Sequence, residues 1–382
     1  MKNAALISTV RRLPSSTLLL FMLLNIMLFS GCSSIGPEGI RANRIDYNLA
    51  VQSTSDQELL LNIIRAHYRD NLYFTSVERI VAAQDLTRSA SASFGAGFTK
   101  NWPDPVKSGS SQAFTLGAGA AFNDRPTIFY APIEGEKFVR QMMTPMNPET
   151  LALLVYSGWS IDRVFMLALQ EVNGLRNAPT ASGPTPSYAP EYAAFREATQ
   201  MLRQLQREHN LTLERSVDEQ TVVLRLINGQ ANSAPALRLK QLLQLNPSLD
   251  RFTLASGSKQ QNEHTIALTT RPLMATLNFL SQGVEVPATD ISSGKIRTTV
   301  ESDGVTPFDW QKMLNGVFKV KSSSTPPAAG STSVAVPYRG VWFYIDDNDL
   351  DSKATFVLLT QLISLHSVPP KGGPTLSYSI GG

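Results

Sequence analysis

The chain has 382 residues, 42% of them hydrophobic and 17% charged, which is enough apolar material for a packed core and too much for wholesale disorder. Its net charge of +3 comes from 34 basic against 31 acidic side chains. Lys2, Arg11 and Arg12 account for the whole surplus, so no basic face is left for nucleic acid. The single cysteine excludes internal disulfides and cysteine-cluster metal sites.

Residues 1 to 16 carry those three basic residues and no acidic one, and Thr17 to Phe29 then runs TLLLFMLLNIMLF. An apolar run of about 13 residues is short of the roughly 20 needed to span a bilayer, so the segment reads as an export signal. Ser30-Gly31-Cys32 follows and resembles the lipobox of bacterial lipoproteins, with Phe29 where leucine is usual. The resemblance implies that residues 1–31 are a removable signal peptide and that Cys32 carries a diacylglycerol and an N-acyl chain such as palmitate. No other cofactor is expected. Ser33 lacks the aspartate associated with inner-membrane retention, which points to the periplasmic face of the outer membrane. Two or more acyl chains hold a protein at a membrane almost permanently.

In chain order, residues 32–55 are expected to be a lipid-anchored tether. Residues 56–210 read as a helical region with an inserted β-hairpin (89–122) and a Pro/Ser-rich flexible loop (177–190), and 211–382 as an α+β domain. Ser55 and Glu58 form a capping signature, and Leu59, Leu60, Ile63, Ile64 and Tyr68 recur at helical spacing, which predicts a helix over 56–68. Ala90, Ala92, Phe94, Ala96 and Phe98 then alternate with small residues, as do Phe114, Leu116, Ala118, Ala120 and Phe122. This is period two, the mark of strands, and the segment NWPDPVKSGSSQ between them is a turn region. A strand follows over 127–130. Helices are expected between Gly135 and Asn173, one opened by Pro148 and ended by Gly158, the next capped by Ser160 and running to Asn173. A further helix places Phe195, Ala198, Leu202 and Leu205 on one stripe. Beyond it, strands at 221–227, 264–269, 295–300 and 317–321 mix with helices at 236–245 and 272–281. A long strand through SVAVPYRGVWFYID and a helix over 351–365 close the chain. The fold class is α+β, with the amphipathic hairpin and helices in the N-terminal half and mixed elements in the C-terminal half.

Candidate chemistry is sparse. Asp347, Asp349 and Asp351 are weak candidates for a cation, but counting from Asp347 the calcium-loop glycine and glutamate positions hold Ser352 and Leu358. Helix capping accounts for Asp349 and Asp351 without a metal. His67, His209, His264 and His366 are far apart in sequence and lack metal-binding spacing, so they read as surface or satisfied histidines. Ser256 and Lys259 stand at the spacing used by penicillin-binding proteins, but in polar, strand-like surroundings where that family has an apolar helix. No nucleophile, base and orienting group assemble, so the expectation is a protein that is not an enzyme.

The segments QELLLNIIRAHYRD (57–70), TRPLMATLNFLSQGVEVP (270–287) and YRGVWFYIDDNDLDSKATFVLLTQLISLHS (338–367) are similar to a family of uncharacterised Gram-negative lipoproteins. The resemblance implies an envelope address and carries no site residues. The leading expectation is an outer-membrane-anchored periplasmic lipoprotein with a structural or assembly role in the cell envelope through protein–protein contacts. Its expected partners are the membrane, an envelope protein and further copies of itself. Phe94, Phe98, Phe114, Leu116 and Phe122 form the expected contact or membrane-insertion surface. One alternative is an oligomeric pore or export component whose 89–122 hairpins share a β-barrel. The second is an envelope hydrolase or glycan-binding module, which would gather His264, Asp303 and the group Asp346 to Asp351 in one cleft.

Overall fold

A computed structural model describes residues 35–81, 84–98, 110–124, 127–133, 135–215, 221–258 and 262–366. The segment 1–31 expected to be a signal peptide and the expected lipidation residue Cys32 lie outside the described residues, as does the loop joining the two strands of the hairpin. The chain divides into two compact units, residues 1–55 and 56–382.

The first helix, α1, spans Ile35–Tyr68. It begins where a tether was expected, and Ser55 lies inside it instead of capping it. Nearby Thr54 turns its hydroxyl back onto Ala50 O at 2.8 Å and Val51 O at 3.0 Å, so a residue able to compete with the helix backbone is satisfied within it. The apolar stripe is as expected: Leu59, Leu60, Ile63, Ile64 and Tyr68 are all buried. Burying side chains of this size is worth about 1.5–3 kcal/mol each, which fixes the face α1 presents to the core.

After the hairpin segments described below come α2 (Glu136–Met143), α3 (Pro148–Tyr156) and α4 (Ile161–Ala168). Pro148 occupies the first turn of α3 and Asn147 caps it, accepting from Glu149 N at 3.1 Å. Helix α4 stops at Ala168 instead of continuing to Asn173. Leu169–Val172 becomes strand β5, followed by β6 (Leu175–Arg176). Helix α5 (Ala193–Arg207) buries Phe195, Ala198, Leu202 and Leu205, the stripe read from their spacing.

A six-stranded mixed sheet organises the body. It combines β5 and β6 with β7 (Leu211–Arg215), β8 (Val222–Leu226), β9 (Arg251–Ser256) and β10 (Thr265–Thr270) in the order β6-β5-β10-β9-β8-β7. Strands β9 and β10 run parallel and the other pairs antiparallel. Because this sheet takes strands from both sides of residue 210, residues 56–382 form one compact unit rather than dividing at the expected 210/211 boundary. The segment 177–190, read as a flexible excursion, is packed. Asn177, Ala178, Ala181 and Thr185 are buried, and Val300 N donates to Ser187 O at 2.9 Å.

Helices α6 (Ala234–Leu242), α7 (Leu273–Ser281), α8 (Ala288–Ser292) and α9 (Trp310–Met313) complete the middle of the unit. A three-stranded antiparallel sheet follows, with β11 (Lys321–Ser323), β12 (Thr332–Tyr338) and β13 (Val341–Asp346) in the order β11-β13-β12. The single long strand expected through SVAVPYRGVWFYID is a hairpin. Arg339 (φ 50°) and Gly340 (φ 80°) both take the left-handed conformation that a tight two-residue hairpin turn requires. The expected strand at 295–300 is irregular backbone, with only Val300 bridging to Tyr188 and Pro307. Helix α10 (Leu350–His366) ends the described chain.

The C-terminal end of α1 is tied to the β12–β13 turn. Arg339 Nη2 donates to Asp70 Oδ2 at 2.7 Å and its guanidinium lies 4.8 Å from the centre of the Tyr68 ring, while Tyr338 donates its hydroxyl to Asp70. Burial opposes ionisation of Asp70, but the hydrogen bonds from Tyr338 and Arg339 outweigh it and hold the carboxyl below its ordinary range. Asp70, two residues past the end of α1, is thus salt-bridged to Arg339.

Candidate functional site

The hairpin is a pair of 15-residue strands, β2 (Gln84–Phe98) and β3 (Ser110–Asp124), with Phe94 opposite Phe114, Ala92 opposite Leu116, Ala90 opposite Ala118 and Leu86 opposite Phe122. Directly opposed residues share a face, so the two apolar sets read from the sequence lie on one face of the ribbon. Ser89, Ser91, Ser93 and Gly95 share the other with Gly119, Gly117, Thr115 and Ala113. Phe98 is opposite Ser110, so phenylalanines do not pair at that end.

Strands β1 (Thr75–Val81) and β4 (Thr127–Pro132) pair antiparallel just outside β2 and β3. The two ladders share one register. Val81 pairs with Thr127 and Gln84 with Asp124, so two residues lie between the pairs on each strand. The register shifts once, between Val77 and Arg79, leaving Glu78 as a bulge. The two ladders are separate two-stranded sheets, and the arm formed by β2 and β3 has 15 residues per strand, about 47 Å at 3.3 Å per residue.

Strands β2 and β3 form a two-stranded sheet and, among the described residues, neither enters another sheet. Each therefore presents an outer edge of backbone donors and acceptors, and a two-stranded ribbon standing alone is marginal in water. At the base of the arm Ile128, Phe129 and Tyr130 are 38%, 42% and 60% exposed. Three successive large residues on a strand occupy both faces, so the base is apolar on both sides.

The acidic cluster is occupied by structural contacts. Asp347 pairs with Lys353 at 2.6 Å, and Asp351 with Arg163 at 2.5 Å. Asp349 caps α10 by accepting from Ser352 N at 3.0 Å. Among the described residues no group of three or more acidic, histidine or cysteine side chains is placed to hold a metal ion. The cleft beside Asp349 and Asp351, about 260 Å³, includes neither His264 nor Asp303. Asp303 is exposed and accepts from Val305 N and Thr306 N within its own turn, and His264 is exposed at the start of β10. These residues are not brought together in that cleft.

Three buried side chains were not visible in the sequence. Arg271 has no exposed surface and donates to Met166 O, Leu167 O and Asn177 O. Lys240 is also buried, with Nζ 2.8 Å from Ala231 O and 2.7 Å from Pro247 O. Both bind backbone carbonyls, so they organise the fold. His67, expected to be a surface or satisfied histidine, is buried, and its Nδ1 has no partner among the described residues. Burial is a tertiary property, and nothing local to His67 announced it.

No family model matches the chain, and neither a curated protein nor a solved structure matches it.

Proposed function

We propose that this protein is a lipoprotein anchored through Cys32 at the periplasmic face of the outer membrane, and that it serves envelope assembly through protein–protein contacts made by its hairpin arm. The proposal is non-enzymatic. The observation that carries it is the two-stranded ribbon of β2 and β3, whose outer edges enter no other sheet among the described residues. Strands of equal length, 15 residues each, allow the β2 edge of one copy to pair along its whole length with the β3 edge of the next. A head-to-tail contact of this kind repeats until a ring closes.

A second reading adds the membrane to the same assembly. A 15-residue strand is about 47 Å long, and at the roughly 40° tilt of barrel strands it rises about 36 Å, enough to cross hydrocarbon. On the apolar face, Phe122 stands toward one end and Phe94, Phe98 and Phe114 toward the other, with alanines and Leu116 between them and with Arg88, opposite Ala120, near the Phe122 end, within snorkelling reach of that margin. Aromatic residues at both margins and aliphatic ones between are the lipid-facing pattern of an outer-membrane barrel. Only a closed ring of several hairpins satisfies every backbone group in lipid.

The test is the native mass of the full-length protein purified from outer membranes in mild detergent, compared with Cys32→Ala and with Phe94→Asp/Leu116→Asp. The expected result is a ring-sized oligomer that the hairpin substitutions dissolve and the Cys32 substitution detaches from the membrane. A monomer, or an oligomer indifferent to Phe94 and Leu116, overturns the proposal. Ion conductance by the oligomer in planar bilayers separates the membrane-crossing reading from a purely periplasmic assembly.

A further inference from the structure

Two apolar side chains of α3 stand in solvent. Leu153 and Tyr156 are 55% and 56% exposed, although the helix buries Leu151, Ala152 and Leu154. They open onto a cleft of about 320 Å³ that is also lined by the buried Ala152 and Val222 and by Glu149, Thr150 and Arg215. Glu149 and Arg215 meet only at 3.8 Å and are both well exposed, so the polar side of the cleft keeps donors and acceptors free for a backbone laid across it.

Helix α10 carries the chain toward this cleft. Arg163 Nη1 donates to Asp351 O and to Thr355 Oγ1, both at 2.7 Å, while Trp159 Nε1 donates to Gln361 Oε1 at 2.8 Å. Moving from Arg163 back to Trp159 approaches α3, and the partners on α10 advance over the same step from its first turns to its last. The helix therefore runs past α4 toward the end of α3. His366 lies five residues beyond Gln361, and Tyr156 three residues before Trp159. A turn and a half of helix, one side-chain contact and three residues of chain hold His366 within roughly 30 Å of Tyr156.

Residues 367–382, SVPPKGGPTLSYSIGG, lie outside the described residues. Pro369, Pro370 and Pro374 favour extended backbone in the first part of this sequence. Ten residues from Ser367 to Leu376 reach roughly 33 Å when extended, which matches the separation of the helix end from the cleft. Leu376, Tyr378 and Ile380 then alternate with Ser377 and Ser379, so an extended segment carries three apolar side chains on one face and two hydroxyls on the other. A spacer of the right length thus delivers an apolar edge to an apolar cleft, and packing the two together removes both from water.

We propose that Leu376, Tyr378 and Ile380 dock in this cleft of their own chain, against Leu153, Tyr156 and Val222, with Ser377 and Ser379 turned to solvent. Docking of this kind covers the apolar side of α3 within one molecule. The cleft and the hairpin arm share no residue, so success or failure here leaves the assembly proposal untouched.

The experiment is thiol crosslinking in the full-length Cys32→Ala protein, which has no other cysteine. Thr150→Cys places one thiol at the cleft and Ser379→Cys the other in the segment, and a short bismaleimide joins them. The expected product is an internally crosslinked single chain, read from its altered mobility on a denaturing gel. Its yield is expected to fall roughly tenfold when Leu153→Lys or Tyr378→Ser is added. Leu153 is more than half exposed, so Leu153→Lys is expected to retain the fold, which far-ultraviolet circular dichroism checks. Tyr378→Ser leaves α3 untouched and gives an independent reading should Leu153→Lys misfold. Absence of the internal product overturns the proposal. So does a product that joins two chains only, which assigns the cleft to the segment of a second copy, and so does an internal product that neither substitution lowers.

Discussion

Arg271 is stacked on Phe279, its guanidinium carbon 3.8 Å from the ring centre, and among the described residues it has no carboxylate partner. Its charge is met instead by backbone carbonyls at the end of α4, Met166 O and Leu167 O, and by Asn177 O in the following segment. The C-terminus of a helix carries partial negative charge, and Arg271 places a cation there. Burial pulls its pKa down to about 9, which still leaves it protonated at neutral pH.

Arg271→Met removes this brace while keeping much of the volume. It removes the Arg271 donors from Leu167 O, Asn177 O and Ser182 Oγ, each loss worth about 1–3 kcal/mol, while Met166 O keeps its bond from Asn177 Nδ2. The expected destabilisation is about 3–5 kcal/mol, the range found when one member of a buried polar arrangement is lost. Urea unfolding followed by circular dichroism measures it. A loss below about 1 kcal/mol contradicts the bracing role.

His67 makes the fold sensitive to acid. Its pKa is about 4 in the folded protein, lowered by burial against a hydrogen bond to Ser281, and 6.5 is its ordinary value. The unfolded chain therefore binds a proton in a window where the folded protein does not. Stability from this group is complete above pH 6.5 and is lost as pH falls toward 4, by about 3 kcal/mol in all. Tyr68 packs edge-on to the imidazole at 6.3 Å, and Glu285, Arg297 and Asp309 line a cleft beside it. The interval from pH 6.5 to 5 lies inside the window that His67 opens. In His67→Phe the slope of urea stability against pH across that interval is expected to flatten.

Gly283 is required by close approach rather than by its backbone angles. A Cβ there would stand 2.6 Å from Phe318 O and 3.3 Å from both Leu280 O and Leu314 Cδ1. Gly283 O also accepts from Val320 N at 3.0 Å, so the backbone cannot withdraw without losing that bond. Gly283→Ala is expected to cost about 1–3 kcal/mol, the usual penalty of overpacking. A lowered urea midpoint with unchanged denaturant dependence checks it.

How far the sequence foretold this molecule depends on the range over which each signal acts. The stripes through Leu59, Ile63 and Tyr68 and through Phe195, Leu202 and Leu205 are local and periodic, and the structure buries them. Leu169–Val172 continues a helix-compatible pattern, yet Leu268↔Val172 pairing with β10 makes it strand. The competing partner is almost a hundred residues away, and local propensity cannot register it. The turn at Arg339-Gly340 went unread because a non-glycine residue at positive φ breaks the pattern expected of such turns. The arm shows both sides of this. Alternation marked β2 and β3, whereas the bare acceptors on His67 and Gln282 follow from tertiary packing alone.

The arm also gives the sharpest separation between a membrane-crossing barrel and an assembly held outside the membrane. Ala92 is opposite Leu116 and Ser91 is opposite Gly117, so these neighbours lie on opposite faces of one ribbon. In a barrel the Ala92 face meets lipid and the Ser91 face meets the lumen. An arginine facing lipid near the middle of the bilayer costs about 2–4 kcal/mol per chain, and a ring repeats that cost in every copy. Ala92→Arg is therefore expected to abolish insertion and conductance. Ser91→Arg is expected to insert, conduct and shift selectivity toward anions, because the added charge lines the water-filled path. Reversal potentials in a salt gradient measure the shift. If both variants form the unsubstituted oligomer and neither they nor the unsubstituted protein conducts, the arm joins copies outside the membrane and the barrel reading fails.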